Sequence, residues 1–189
     1  EEMVIRGAPA LGVAGAFGVA LGARQLAIAN PSNWQEELQR IAQSILFSRP
    51  TAVNLAWGVE RVMRKVSAAP DAITAATIAF DEAQLMADED VQINYRLAQN
   101  GATLIKDGDV LIHHCNTGSL AGVDWGTALG AIRYAHESSK RVKVLVDETR
   151  PRLQGARLTA WECEQYGIPY QIITDNAAGY FLQRKEVNA

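Results

Sequence analysis

Three short apolar runs in the second half of the chain alternate with amphipathic segments, and this alternation limits the possible folds more than any other feature. Helical periodicity at 124–137 and 154–166 separates the runs. Such strand–helix–strand alternation gives a parallel sheet with right-handed crossovers. The sequence therefore predicts an α/β domain at 102–189, the start of a Rossmann-like parallel sheet. Its predicted strands are residues 110–115, 142–146 and 170–174.

The first hundred residues carry helical periodicity throughout, which predicts an all-helical subdomain at 1–101. Gly101 is expected to end the last of these helices as the residue after its C-cap. In the first helix, Gly15, Gly18 and Gly22 lie on one face. Because glycine costs helix stability, this stripe predicts a closely approaching neighbour backbone.

Composition excludes several classes of protein. The net charge of −3 gives no basic surface for nucleic acid. Only two cysteines, Cys115 and Cys163, are present, so we expect a reducing, cytoplasmic setting rather than a disulfide framework. The uncharged run at 7–23 is the only membrane candidate, and we expect it to be a buried core helix, with no membrane partner.

Both ends of the sequence suggest a fragment. The chain begins with Glu1 rather than methionine, and residues 187–189 stop where a fourth strand would begin. We therefore expect the chain to be part of a longer protein.

Polar residues follow each predicted strand, at 115–117, 147–149 and 174–175. In a parallel sheet these ends share one edge, where open α/β folds bind ligands. Cys115 is expected near a helix N-terminus, which favours a reactive thiolate; the alternative is a buried, inert cysteine. His113 and Cys115 share a strand face, but two ligands are too few for zinc, so no metal is expected. No dinucleotide or P-loop motif occurs.

Three further segments carry candidate ligand contacts. Arg6-Gly7-Ala8 precedes a helix that has Pro9 in its first turn, so free N–H groups there suit a phosphate, although a structural ion pair of Arg6 is equally compatible. Arg49, before Pro50, is either an anion ligand or a solvated loop arginine. Gln154 either binds a sugar hydroxyl or is an ordinary first-turn helix residue.

Taken together, seven ordered segments resemble the methylthioribose-1-phosphate isomerases, a family related to the regulatory subunits of the eukaryotic translation initiation exchange factor. The matching segments are Arg-Gly-Ala-Pro at 6–9, Ser-Arg-Pro-Thr-Ala-Val-Asn at 48–54, Cys-Asn-Thr-Gly-Ser-Leu-Ala at 115–121, Gly-Thr-Ala-Leu-Gly at 126–130, Glu-Thr-Arg-Pro at 148–151, Gln-Gly-Ala-Arg-Leu-Thr-Ala-Trp-Glu at 154–162 and Ile-Thr-Asp-Asn at 173–176.

The resemblance implies an aldose–ketose isomerase of methionine salvage, which converts 5-methylthioribose 1-phosphate into 5-methylthioribulose 1-phosphate. It implies a fold like that of NagB, RpiA and the CoA transferases, a homodimer, a small sugar phosphate as substrate and no cofactor. Cys115 matches the catalytic thiol. The substrate contacts match Arg6, Gly7, Ala8, Arg49 and Gln154.

One part of the family pattern is missing. The second catalytic residue, an aspartate in a Gly-Ala-Asp-Arg segment, and a following Asn-Lys pair do not occur up to Ala189. We therefore expect this polypeptide alone to be inactive. Two alternative functions remain, a ribose-1,5-bisphosphate isomerase and a non-catalytic regulatory subunit. The cysteine segment favours the methylthioribose-1-phosphate isomerase over both.

Overall fold

The computed structural model describes residues 4–189. Two compact units, one up to Asp90 and the other Val91–Ala189, divide the chain within its longest helix. Each unit has its own apolar core. A helical N-terminal part and a small parallel sheet with helices confirm the predicted α/β class.

The first unit consists of helices. Pro50 ends one of them as expected, because Arg49 leaves the helical region with φ −144° and ψ 74°. Gly101 does not end the last helix as predicted: it lies inside α4, where a side chain would collide with the Cβ of Ala131. The helices are α1 (Ala8–Ala29), α2 (Trp34–Ser48), α3 (Val53–Val66) and α4 (Ala72–Ala102), the last of which continues into the second unit.

The three glycines of the predicted stripe in α1 face neighbouring side chains rather than a neighbouring backbone. The side chains of Leu55, Ile45 and Ile41 fill the space beside Gly15, Gly18 and Gly22, respectively. The close backbone approach occurs elsewhere, where a Cβ on Gly58 would lie 2.1 Å from the carbonyl oxygen of Gly12. The predicted tight packing of α1 is therefore confirmed, but the predicted backbone contact lies at a different glycine.

Among residues 4–189, α1 is the one helix that is long and apolar enough to cross a membrane by length and composition. Half of its most apolar stretch is buried in the protein. Ala16, Val19 and Ala23 pack in the core of the first unit, as predicted for a core helix.

The second unit contains a three-stranded parallel sheet in the order β1-β2-β3. Its strands are β1 (Val110–His113), β2 (Lys143–Asp147) and β3 (Tyr170–Ile173). His113 lies opposite Val146, and Asp147 lies opposite Ile173, so the strands end at one edge. On the free side of β1, the amide of Asn188 donates to the carbonyl of Val110.

The first helix between the strands begins later than predicted, whereas the second is helical over the predicted residues 154–166. α5 (Ala128–Glu137) starts after Trp125 and Gly126, which have φ 66° and 78° and so cannot continue a helix. A π-helical turn (Gly155–Thr159) leads into α6 (Ala160–Tyr166), which Gly167 ends with φ 67°, as predicted. α7 (Ala178–Gln183) follows β3.

Candidate active site

The polar residues after the three strands meet at one edge of the sheet, as the sequence predicted. The amide of Cys115, after β1, donates to Thr149 Oγ1 over 2.8 Å. Nδ1 of His114 lies 3.0 Å from Oδ2 of Asp147 at the end of β2. Asp175, after β3, accepts the amide hydrogen of Thr149 over 2.7 Å. Hydrogen bonds therefore connect the ends of all three strands.

Cys115 is not part of β1, because it has a left-handed backbone with φ 68°. The prediction that it shares a strand face with His113 is therefore wrong. Its side chain is half-buried, whereas His113 is only 3% exposed. Only a short 3₁₀ turn (Ser119–Ala121) lies between the cysteine and the next α-helix, which begins at Ala128, so no α-helix N-terminus directly follows the cysteine.

A buried carboxylate holds the loop that follows Cys115. Glu162, on α6, is 1% exposed. Its oxygens accept hydrogen bonds from Asn116 Nδ2 and the amide of Ser119, both over 2.7 Å, and from Ser119 Oγ over 2.8 Å. A side chain at Gly118 would overlap this carboxylate, with its Cβ only 2.2 Å from Oε2. Glu162 therefore holds loop 116–119 through three hydrogen bonds, which satisfy a buried carboxylate.

The second cysteine has a different environment. Cys163 is buried in the core of the second unit. Burial, together with the charge of neighbouring Glu162, raises the pKa of the Cys163 thiol to about 12. At neutral pH this thiol is protonated and inert.

One cluster at this edge contains the side chains of His114, Asp147 and Asp175. Their potential metal-ligand atoms lie within 4.8 Å of one another. Each group already has a partner in the protein: His114 pairs with Asp147, and Asp175 accepts the amides of Thr149 and Arg150. The pKa of Asp175 lies below its usual value, mainly because of the hydrogen bond from the Arg150 amide and also because of the bond from the Thr149 amide. Through the two bonds of Asp175, the cluster anchors loop 148–150.

Gln154 lies immediately before the π-helical turn. Its Oε1 atom is buried and has no hydrogen-bond partner within the described part of the chain. The turn packs closely on β2, since a Cβ on Gly155 would lie 1.8 Å from the Asp147 carbonyl oxygen. An acceptor with no donor here suits a ligand hydroxyl.

The remaining candidate contacts lie in the first unit. Gly7 is the N-cap of α1, with no side chain capping the helix and Pro9 in its first turn. Arg6 is exposed and forms no ion pair with a carboxylate of residues 4–189, so within that range the ion-pair alternative has no support. Arg49 lies half-buried between α2 and α3. Gly12 contacts Asn54 and Gly58, so α1 packs near its N-terminus on the first turns of α3.

Comparison with known proteins identifies the family. The model of the initiation factor 2 subunit family matches residues 4–189. The chain belongs to this family.

The similar proteins have two kinds of name: some are isomerases, and others are subunits of an initiation factor. The chain is 47% identical over its full length to the methylthioribose-1-phosphate isomerase of Thermotoga maritima, and 46% identical to that of a Synechococcus strain. It spans 54% of each of these relatives.

Two solved structures match with a TM-score of 0.86. One is 5-methylthioribose 1-phosphate isomerase from Pyrococcus horikoshii, at 37% identity over 99% of this chain and 53% of that one. The other is described as subunit delta of translation initiation factor eIF-2B from A. fulgidus, at 42% identity over 98% of this chain and 55% of that one.

Sequence reasoning missed the residues that hold Cys115 in place. Thr149 and Thr159 bond its two peptide groups, and Glu162 holds the loop after it. All three lie within segments that carry the family resemblance, but a threonine or glutamate there is equally compatible with a solvated helix or loop. Only their burial, which the sequence pattern does not give, distinguishes them.

Proposed function

We propose that the protein containing this chain isomerises 5-methylthioribose 1-phosphate to 5-methylthioribulose 1-phosphate, as a step of methionine salvage. The observation that carries the proposal is the half-buried thiol of Cys115, fixed at the edge where the three strands end. The names of relatives 44–47% identical over the whole chain support the same activity.

The reaction defines what the side chains must do. Phosphate on the anomeric oxygen prevents the ring from opening as a free sugar does. The bond between C1 and the ring oxygen must break while that oxygen takes up a proton. Hydrogen then moves from C2 to C1, and the C2 hydroxyl loses its proton as it becomes a carbonyl, so C2 is oxidised, C1 is reduced and no external oxidant is consumed. This transfer needs a positioned acid–base pair in a water-poor site.

We assign these tasks to the residues that the sequence predicts. Cys115 supplies one proton-transferring group. Arg6 and Arg49 bind the phosphate together with the amides of Gly7 and Ala8, because guanidinium groups and helix N-termini both favour oxyanions. Gln154 accepts a hydrogen bond from a sugar hydroxyl through its unpartnered Oε1.

The finer features of the fold and setting belong to the same proposal. We propose a Rossmann-like sheet of the NagB, RpiA and CoA transferase type, a homodimer in the cytoplasm, and no nucleic-acid or membrane partner. The resemblance supports the dimer, and the negative net charge supports the absence of nucleic acid. The domain boundary at 101/102 stays a prediction.

Site-directed mutation of the two cysteines tests the assignment in the full-length protein. Cys115→Ser should lower kcat on 5-methylthioribose 1-phosphate by about 10²–10⁴-fold, the usual loss when a general acid or base is removed. The matched control, Cys163→Ala, changes a buried thiol of the same unit and should retain turnover. Circular dichroism confirms folding of each variant. Turnover of Cys115→Ser at the unmutated rate would contradict the proposal.

A regulatory subunit is the second candidate, because the A. fulgidus structure that matches equally well is described as subunit delta of translation initiation factor eIF-2B. The same assay distinguishes it, since a regulatory subunit converts no sugar phosphate. Ribose 1,5-bisphosphate offered in parallel tests the sister isomerase activity, and its preferred conversion would replace the proposed substrate.

A further inference from the structure

The backbone of Cys115 is held on both sides by threonine hydroxyl groups. Its amide donates to Thr149 Oγ1 over 2.8 Å, and its carbonyl accepts from Thr159 Oγ1 over 2.6 Å. The residue between these bonds has φ 68°, a conformation that non-glycine residues seldom adopt. The two hydroxyl groups therefore fix a strained turn at the residue we assign to catalysis.

Thr149 is itself strained. Its φ is 60°, which is unusual for a β-branched residue. The side chain is buried, and its hydroxyl donates to the carbonyl of Asp147 over 3.1 Å, so the oxygen is oriented to accept the Cys115 amide. Asp175 accepts the amides of Thr149 and Arg150 over 2.7 and 2.8 Å. Such conformations persist only where the surroundings determine them, and they cluster at functional sites.

The strained turn determines where the thiol points. If residue 115 continued β1 in an extended conformation, its side chain would share the face of His113, which is 3% exposed. The left-handed turn instead leaves the Cys115 side chain half-buried at the end of the strand. A bond that holds this turn therefore keeps the thiol accessible.

We propose that Thr149 is a positioning residue: its hydroxyl group holds the amide of Cys115 and thereby directs the thiol to the edge of the sheet. This inference rests on the proposed function only in so far as Cys115 is the catalytic thiol. Its geometric part, the direction of the thiol, is testable without turnover.

The first test measures how fast iodoacetamide alkylates Cys115 at neutral pH in the full-length protein, by peptide mass spectrometry. Thr149→Val has nearly the same shape but no hydroxyl, and it should slow alkylation at least about fivefold as the thiol turns toward the buried face. Thr149→Ser keeps the hydroxyl and should stay within about twofold of the unmutated protein. Thr174 is an exposed threonine after β3 whose hydroxyl donates to Asn176 Oδ1, so Thr174→Val is the matched control and should change nothing.

The second test measures steady-state kinetics on 5-methylthioribose 1-phosphate. A misplaced reacting group costs about 10²-fold in rate. Thr149→Val should therefore lower kcat by about that factor with KM within about twofold, and Thr149→Ser should restore kcat. If Thr149 had only a structural role, Thr149→Val would reduce the fraction of folded protein. Active-site titration corrects for that fraction, and the corrected kcat would then be unchanged.

The outcomes separate the two proposals. If the unmutated protein converts no sugar phosphate but Thr149→Val slows alkylation and Thr149→Ser does not, the positioning role stands and the isomerase function falls. Unchanged alkylation and kcat in a folded Thr149→Val variant overturn the positioning role, as does equal damage in Thr149→Ser. If Thr149→Val does not fold, Asp175→Asn replaces it, because it weakens the support of Thr149; full reactivity in that variant also overturns the proposal.

Discussion

At the scale of single residues, the two cysteines of this chain have different environments. Cys115 is half-buried at the edge of the sheet, while burial raises the pKa of Cys163 to about 12. At pH 8 only about 10⁻⁴ of such a thiol is ionised, and the thiolate is the reactive form. Of these two thiols, a chromogenic disulfide reagent should therefore modify only Cys115 rapidly in the native protein, and both in denaturant. Labelling of Cys163 as fast as Cys115, seen by peptide mapping, would contradict the buried environment.

His113 should make stability depend on pH. Burial first, and the nearby His114 second, lowers the pKa of His113 from 6.5 to about 4. Between these values the unfolded chain binds a proton that the native state excludes, so stability is complete above about pH 6.5 and falls as the pH drops toward 4. The loss should reach about 3 kcal/mol. Urea unfolding at several pH values measures it, and His113→Gln should flatten this part of the curve; an unchanged slope would exclude His113 as the source.

At the scale of elements, α6 supports the cysteine loop through Glu162. In the unmutated protein, N–H groups of Asn116 and Ser119 donate to the Glu162 carboxylate. Glu162→Gln replaces one carboxylate oxygen by an NH₂ group, so one of these buried donors loses its acceptor. We expect a loss of about 3 kcal/mol in the free energy of unfolding. Glu164→Gln, which changes an exposed carboxylate on the same helix, should cost less than about 0.5 kcal/mol. Equal urea midpoints for the two variants would show that Glu162 does not hold the loop.

The contact between α1 and α3 depends on glycine. A Cβ at Gly58 would lie 2.1 Å from the carbonyl oxygen of Gly12, so Gly58→Ala forces the helices apart and should cost about 1–3 kcal/mol or more. A methyl group added at Gly179 in α7 would meet no other atom within 4 Å, so Gly179→Ala should instead stabilise slightly through helix propensity. Thermal unfolding of both variants checks the opposite signs, and the same sign in both would refute the packing argument.

Local patterns in the sequence predict most of these elements but not how the site is held. Periodicity gives the helices and the parallel order of strands, and hence the convergence of Cys115, Asp147 and Asp175. The left-handed turns at Cys115 and Thr149 depend on partners more than twenty residues away in the chain. Glu162 is charged, so a pattern places it in solvent, whereas its contacts with a distant loop bury it. Such features depend on tertiary contacts, which periodicity does not contain.

At the scale of the whole molecule, ligand binding should stabilise the full-length protein independently of turnover. A ligand that binds only the folded state at 100 times its Kd adds about 2.7 kcal/mol. Saturating 5-methylthioribose 1-phosphate should therefore raise the Tm of the unmutated protein. It should also raise the Tm of Cys115→Ser, because that variant lacks a proton-transferring group and retains the phosphate contacts.

Arg49→Ala should lose most of this shift, since an arginine–phosphate pair supplies much of the binding. Arg40→Ala is the matched control: it removes an exposed arginine of α2 that pairs with Glu37, and it should retain the shift. A full shift in Arg49→Ala would exclude Arg49 from the phosphate site. The absence of a shift in the unmutated protein would exclude the sugar phosphate as its ligand and favour the regulatory alternative, in which the same fold binds proteins rather than a small substrate.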